Sequence, residues 1–422
     1  MITSRRTPRA FVVLTLLVLG VPGLSAQALP MAAPEAVGMS AERLARLDRT
    51  LDAYVEADQL AGGVVMIARR GRLAHQYAFG LRDVESGDPM ELDDLFRIAS
   101  QSKAVVSVAA MVLVEEGRLL LNDPVSRFLP AFEATTVETE DGAVVPADRR
   151  VTVRDLLTHT AGVDYGMGRE AWEAAGVTGW YFADRTEPIG STASRMAELP
   201  FRSQPGERWV YGYSTDILGA VLEVASGMPL DRLLRDRILD PLGMDDTWFY
   251  VPPAEADRLV TVYGSGEAGI RRAPDGPGMR TQGNYLEGPR ASFSGGAGLV
   301  STAGDYARFL QMLLNGGELD GARVLSPASV DLMTRNHTGD LFRGPAYGFG
   351  LGFEILQDPG AAAQYGDPGA YGWGGAYHST YWVDPAQELV VVYMTQLIPA
   401  RVDDHARLRP LVYQAVVEAG GR

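Results

Sequence analysis

The chain has no cysteine. That removes disulfides, thiolate metal sites and thiol nucleophiles at once. Lysine is almost absent: of 38 basic residues, Lys103 alone is lysine and the rest are arginine. Histidine is scarce. None of His75, His159, His337, His378 and His405 falls into H-E-x-x-H or another metal-binding spacing. No G-x-S-x-G occurs, so a strand-to-helix nucleophile elbow is missing. An excess of positive charge is missing too. The net charge of −15 and the pI near 4.9 disfavour nucleic acid or anionic membrane as partners. Past the N-terminus, no segment supplies the ~20 apolar residues that a membrane helix requires. No repeat marks a solenoid or propeller.

The composition that remains is that of a globular protein, with 46% hydrophobic and 22% charged residues over 422 positions. This length exceeds the roughly 250–300 residues at which single cores divide. The N-terminus has the layout of a secretory leader. Arg5, Arg6 and Arg9 precede an apolar run over 10–19, and Ala26-Gln27-Ala28 supplies small residues for cleavage. A leader over 1–28 implies an exported protein, periplasmic or secreted, with no stable membrane anchor after cleavage.

Ser40 is placed to cap a helix whose apolar face is Leu44, Leu47, Leu51 and Tyr54. Residues 64–67 and 73–79 flank Arg70-Gly71 as a hairpin. A helix starting near Ser100 is apolar almost all round until Gly117, which predicts a buried helix. Shorter helices are expected at 155–159, 215–225 (closed by Gly227) and 306–314, with a closing helix over 408–417. Residues 131–150 read as a surface loop, and 251–290 as a long lid-like excursion. Residues 347–355 alternate like a strand. Residues 377–383 and 389–394 form a second hairpin around Asp384-Pro385. Strands at both ends with helices between them predict an α/β protein of the α+β type: a mainly antiparallel sheet from 29–130 and 291–422, flanked by helices, with a mainly helical lobe inserted over 131–290.

Ser100-Gln101-Ser102-Lys103 stands at the start of the buried helix. Positions i and i+3 share a helix face, and the helix N-terminus favours developing negative charge. S-x-x-K by itself is a common spacing. The lone lysine makes it informative, because arginine cannot give up its proton in a protein and a desolvated lysine can. Lys103 is therefore positioned to serve as general base for a Ser100 nucleophile. His159 reads as a structural turn histidine, and His378, after a glycine pair, as a residue lining a cleft. The run Gly372-Trp373-Gly374-Gly375-Ala376 permits close backbone approach to a ligand. The run Gly295-Gly296-Ala297-Gly298 reads as structural.

Several segments in order resemble the β-lactamase-like serine hydrolases: class C β-lactamases, D-alanyl-D-alanine carboxypeptidases and family VIII esterases. Phe96-Arg97-Ile98-Ala99-Ser100-Gln101-Ser102-Lys103 is similar to the nucleophile motif. Leu156-Leu157-Thr158-His159-Thr160-Ala161-Gly162 is similar to a family turn, and Pro205-Gly206-Glu207-Arg208-Trp209-Val210-Tyr211 to the approach to the second-motif tyrosine. Further matching segments are Leu242-Gly243-Met244-Asp245-Asp246-Thr247 and Gly296-Ala297-Gly298-Leu299-Val300-Ser301-Thr302. The resemblance spans nearly all of the chain after Val37. It implies the matching fold, acylation of Ser100, a proton shuttle through Lys103 and Tyr211, and an oxyanion hole from the backbone N–H groups of Ser100 and Ala376. Gln101, Tyr213, Trp373, Gly374, Gly375 and His378 are the residues expected against the substrate.

Two departures bear on substrate. Tyr213 holds the place of a family asparagine. Trp373-Gly374-Gly375 stands where β-lactamases carry Lys-Thr-Gly, so a lysine that holds a substrate carboxylate is replaced by an indole. This resembles the esterase branch, since an indole wall suits an apolar group. The expected activity is carboxylester hydrolysis of small or medium esters without cofactor or metal. The alternative is a β-lactamase, D-amino-acid peptidase or acyltransferase, with its carboxylate anchor an arginine from 271–290. The expected partner is a small-molecule ester or amide, and nothing in the sequence fixes the oligomeric state.

Overall fold

The computed structural model describes residues 28–179 and 181–420. The expected leader, apart from Ala28, lies outside the described residues. Among those residues no helix is long and apolar enough to cross a membrane.

The helices that position the site and the sheet are α1 (Ala41–Glu56), α2 (Ser102–Glu115), α3 (Val153–Leu157), α4 (Ser214–Ser226), α5 (Ala303–Leu314) and α6 (Asp404–Tyr413). The capping expected of Ser40 is present, its Oγ accepting from the Arg43 amide at 3.3 Å. The 3.6-residue period then puts Leu44, Leu47, Leu51 and Tyr54 on one buried face. The first hairpin pairs β1 (Gly62–Arg69) with β2 (Arg72–Asp83) through Arg70-Gly71, both at positive φ (53° and 73°), the geometry that suits a tight hairpin. A two-residue β3 (Asp88–Pro89) forms the edge.

The other strands come from the last quarter of the chain: β4 (Tyr347–Phe349), β5 (Glu354–Leu356), β6 (Tyr371–Gly375), β7 (Ser379–Asp384) and β8 (Leu389–Thr395). All join one eight-stranded antiparallel sheet, ordered β4-β5-β6-β7-β8-β1-β2-β3. The two ends of the chain meet where β1 pairs β8, with Val65 opposite Tyr393 and Ile67 opposite Val391. Every residue of both strands is buried, as their almost wholly apolar sequences require. On one face Val65, Ile67 and Tyr393 pack against Leu44 and Leu47 of α1 and Leu408 and Val412 of α6. On the other, Val64, Met66 and Val392 join the larger core, which holds α2 and α5.

The expected buried helix is α2. It is preceded by a 3-10 turn over Ala99–Gln101 and stopped by Gly117 at φ 70°. Its apolar surface is shared between the sheet side and α4, whose buried face is Ile217, Leu218, Val221 and Leu222.

Some expectations are corrected. Within 131–150, residues 136–138 and 144–146 form a small hairpin, because Val137 turns inward and bridges Phe201. Residues 251–290 are no free lid. They contain a hairpin of Tyr263–Gly266 with Gly269–Arg272, and it is stitched to the end of β8. The Tyr263 amide donates to Gln396 O at 2.9 Å and the Ile398 amide to Tyr263 O at 2.7 Å. The alternation over 347–355 is broken into β4 and β5 by a turn through Gly352, at φ 97°. A Cβ at Gly352 would lie 2.3 Å from Ser107 Oγ, so α2 demands a glycine there. The glycine run 372–375 is itself strand β6, and the closing helix begins at Asp404 rather than 408.

Candidate active site

The nucleophile motif is held by its backbone first. Ile98 donates its amide to Leu299 O at 3.0 Å, and Ala99, the first residue of the 3-10 turn, takes φ 42°. A left-handed alanine is uncommon, and such strain gathers where surrounding structure forces it. The turn delivers Ser100 to the mouth of a cavity of about 470 Å³ and sends Lys103 into α2, almost fully buried.

Lys103 Nζ donates to Ser100 Oγ at 3.2 Å, to Gly296 O at 2.7 Å and to Tyr165 Oη at 3.4 Å. It also lies 4.7 Å from the centre of the Tyr211 ring. The spacing that suggested a shared helix face thus brings lysine and serine together, and Tyr211 reaches them from the loop before α4. Gly296, in the glycine run read as structural, contributes a carbonyl to the lysine. That carbonyl is fixed by Asp216 of α4, whose Oδ1 accepts from Ser294 Oγ at 2.5 Å and from the Gly296 amide at 3.1 Å. Burial lifts the Asp216 carboxyl above its usual range, opposed by nearby Lys103.

Tyr211 is set in an aromatic bed. Trp373 Nε1 donates to its Oη at 3.0 Å. Trp209 stacks on its ring at 5.6 Å, and Tyr165 meets it edge to face at 5.7 Å. His159, expected as a turn residue, is at φ 55° and packs its ring 4.8 Å from Tyr211. Burial, with Lys103 nearby, holds this imidazole well below its ordinary pKa, so it is neutral packing material. Burial likewise pushes the Tyr165 hydroxyl well above its ordinary value, with Tyr211 and Asp216 adding to the effect; it stays protonated.

Ser100, Tyr211, Trp373, Gly374, Gly375 and Ala376 all line the same cavity. The approach of β6 to the nucleophile depends on Gly375. A Cβ there would lie 2.5 Å from Ile98 O and 2.5 Å from Ser379 Oγ. Only glycine lets the strand end come so near the turn that carries Ser100.

Three residues expected against the substrate lie elsewhere. Gln101 is fully buried and its side-chain amide has no hydrogen-bond partner among the described residues. The Tyr213 hydroxyl donates into the core, to Gly179 O at 2.5 Å, and its ring stacks on Trp172 at 6.0 Å. His378 stands behind the cavity wall, its Nε2 2.6 Å from Asp404 Oδ1, while its stacking partner His405 lines the cavity. Sequence reading missed Tyr165, Arg343, Glu354, His405 and Arg409, which all line the cavity. None lies in a motif, and only the fold brings them there. Arg343 donates to Glu354 Oε2 at 2.7 Å, and burial lifts the Glu354 carboxyl against the opposing pull of both arginines. The cavity's arginines are therefore 343 and 409, not residues of 271–290.

The family model described as Beta-lactamase matches residues 47–414. The chain belongs to the β-lactamase family. Protein Rv1367c of Mycobacterium tuberculosis (strain ATCC 25618 / H37Rv) is 36% identical over 367 residues, covering 82% of this chain and 88% of its own length. Esterase EstB of Burkholderia gladioli is 34% identical over 379 residues, covering 86% and 93% respectively. The solved structure of EstCE1, described as a hydrolase with promiscuous acyltransferase activity, matches with a TM-score of 0.77 at 30% identity, over 88% of this chain and 99% of that one. The sheet built from both termini is thus the β-lactamase/transpeptidase-like fold, and the chain is a β-lactamase-family hydrolase. Trp373, on β6, touches Tyr211 directly.

Proposed function

We propose that the chain is an exported carboxylesterase that cleaves small or medium esters through an acyl-enzyme on Ser100. The observation that carries this reading is the contact of Trp373 with Tyr211. An indole occupies the strand position where a lysine would hold a substrate carboxylate, and it is joined by hydrogen bond to the proton-shuttling phenol. The esterase names of the relatives EstB and EstCE1's hydrolase description support it, as does the leader-like N-terminus for export.

In this reading the Lys103–Tyr211 pair accepts the Ser100 proton as Oγ attacks the ester carbonyl. The tetrahedral oxyanion forms between the amides of Ser100 and Ala376. Tyr211 returns the proton to the departing alcohol as the C–O bond breaks. Water, deprotonated by the same pair, attacks the acyl-enzyme and releases the acid and Ser100. Trp373 and the aromatic bed give the leaving group or acyl chain an apolar wall.

A second reading, β-lactam or D-amino-acid peptide hydrolysis, is favoured by Arg343 and Arg409 in the cavity wall, since either offers charge to a substrate carboxylate. Turnover of p-nitrophenyl butyrate and a chromogenic cephalosporin, side by side with the Ser100→Ala variant, separates the two. Ester turnover lost in Ser100→Ala is the expected result. Dominant cephalosporin turnover overturns the esterase reading, and ester turnover that survives the substitution overturns Ser100 as nucleophile.

A further inference from the structure

His378, Asp404 and His405 form a tight group at the cavity wall, which His405 lines, with potential ligand atoms within 4.8 Å of one another. A metal is poorly served there. The two imidazoles lie parallel, 3.9 Å apart and 8° from coplanar stacking, so their in-plane lone pairs do not converge on one point. The group serves another purpose, visible in the backbone it holds.

Ala376 sits in a tight turn after β6. The His378 amide closes that turn on Gly375 O at 3.1 Å, and His378 itself has φ 65°. A non-glycine residue at positive φ is uncommon, and its surroundings hold it there. The surroundings here are specific. Asp404 Oδ1 meets His378 Nε2 at 2.6 Å, and Thr395 Oγ1 donates to His378 O at 2.5 Å. His405 stacks on the ring and reaches His378 O with its Nε2 at 3.3 Å. Asp404 is fixed in turn by the Tyr393 hydroxyl, which donates to Oδ2 at 2.7 Å. The carboxylate is held below its ordinary pKa by hydrogen bond and charge from His378, outweighing the burial that would raise it. The Leu397 amide pins the same turn through Tyr377 O at 3.0 Å. One end of the turn is thus locked by Gly375 against Ile98, and the other by a buried carboxylate on α6.

We infer that Asp404 and His378 are positioning residues for catalysis: they hold the turn that aims the Ala376 amide at the oxyanion, without touching substrate themselves. This rests on the esterase reading. A left-handed histidine tied to a buried aspartate is a demanding way to end a strand. Its result is one amide fixed beside Ser100, and preorganised donors gain their effect from being fixed before charge develops.

The test compares wild type with Asp404→Asn and with His378→Gly, the second because glycine suits the left-handed backbone and keeps the fold while deleting the tie. The readouts are kcat and KM for p-nitrophenyl butyrate, and inhibition by a butyl boronic acid, whose tetrahedral adduct needs the oxyanion amides, against inhibition by butyrate. The expected result is a fall in kcat of about tenfold or more, short of the ~10²–10³ for loss of a donor. Boronate affinity falls in parallel, while KM, butyrate inhibition and melting temperature stay near wild type. Folded variants with wild-type kcat and boronate affinity overturn the inference. So does a joint fall of every parameter with the melting temperature, which would make the pair merely structural. If wild type neither cleaves the ester nor binds the boronate, the esterase reading falls. Hydrogen exchange over residues 373–380 then decides the clamp alone: faster exchange in both variants supports it, and unchanged exchange overturns it.

Discussion

The indole of Trp373 donates a hydrogen bond to the phenolic oxygen of Tyr211 at 3.0 Å. The two residues are far apart in sequence, and the bond fixes the phenolic oxygen of a ring whose centre lies 4.7 Å from Lys103 Nζ. Trp373 is therefore both a wall and an orienting donor. Trp373→Phe keeps most of the wall and deletes the donor. The expected outcome in steady-state assays with p-nitrophenyl butyrate is a fall in kcat of about tenfold, with a smaller change in KM. A rise in KM at unchanged kcat would mean that the indole only binds substrate.

Lys103→Arg keeps charge at the one position where the chain uses lysine. Arginine cannot act as base and its fork does not fit the site formed by Ser100, Tyr165 and Gly296. Ester turnover should fall by roughly 10³ or more. The same loss should appear in the labelling rate of Ser100 by a fluorophosphonate. Labelling at wild-type rate would remove Lys103 from the chemistry.

Gly375→Ala places a methyl group 2.5 Å from Ile98 O. Strand β6 must then back away and carry the Ala376 amide with it. The expected loss in kcat is ~10²–10³, the scale of one oxyanion donor. Circular dichroism and a melting curve distinguish this from unfolding, and a variant with wild-type kcat would show that β6 need not approach so closely.

Asp305, in the first turn of α5, is pushed up to about 7 by burial, against the hydrogen bond from Thr247. In the unfolded chain an aspartate titrates near ~3.9. Between these values the folded protein holds a proton that the unfolded chain has released. Stability therefore falls as pH rises from about 4 to about 7 and levels off above. Asp305→Asn does not titrate, so it should gain on wild type across that window by roughly 2–4 kcal/mol. Urea unfolding at pH 4.5 and pH 7.5 reads the difference. A constant gap between the two proteins would show that Asp305 titrates normally.

What the sequence made legible is local. Ser100 and Lys103 lie one helical turn apart, so their meeting follows from the helix period, and the scarcity of lysine pointed to the pair. The hairpin at Arg70-Gly71 and the cap at Ser40 are likewise written in neighbouring residues. Tyr165 was not legible. It is one of 17 tyrosines, and its nearness to Lys103 exists only once α2 and the loop after α3 are packed. The Asp216–Gly296 bond and the Arg343–Glu354 pair also depend on tertiary packing. His378 and Tyr213 show the converse limit. A motif position for Tyr213 and a preceding glycine pair for His378 predicted contact with substrate, but burial and a better partner, Gly179 O for one and Asp404 for the other, drew each side chain away.

The solitary lysine of α2 makes the protein its own reporter. A lysine-specific protease has one peptide bond to cut in 422 residues, the one after Lys103, and helix, sheet and α4 together conceal it. Opening of a loop or terminus leaves that bond untouched, so two fragments of fixed size should emerge only from chains whose centre has come apart. Isotopic labelling of lysine alone would place one side-chain amine in the spectrum, and that signal would belong to the atom beside the nucleophile.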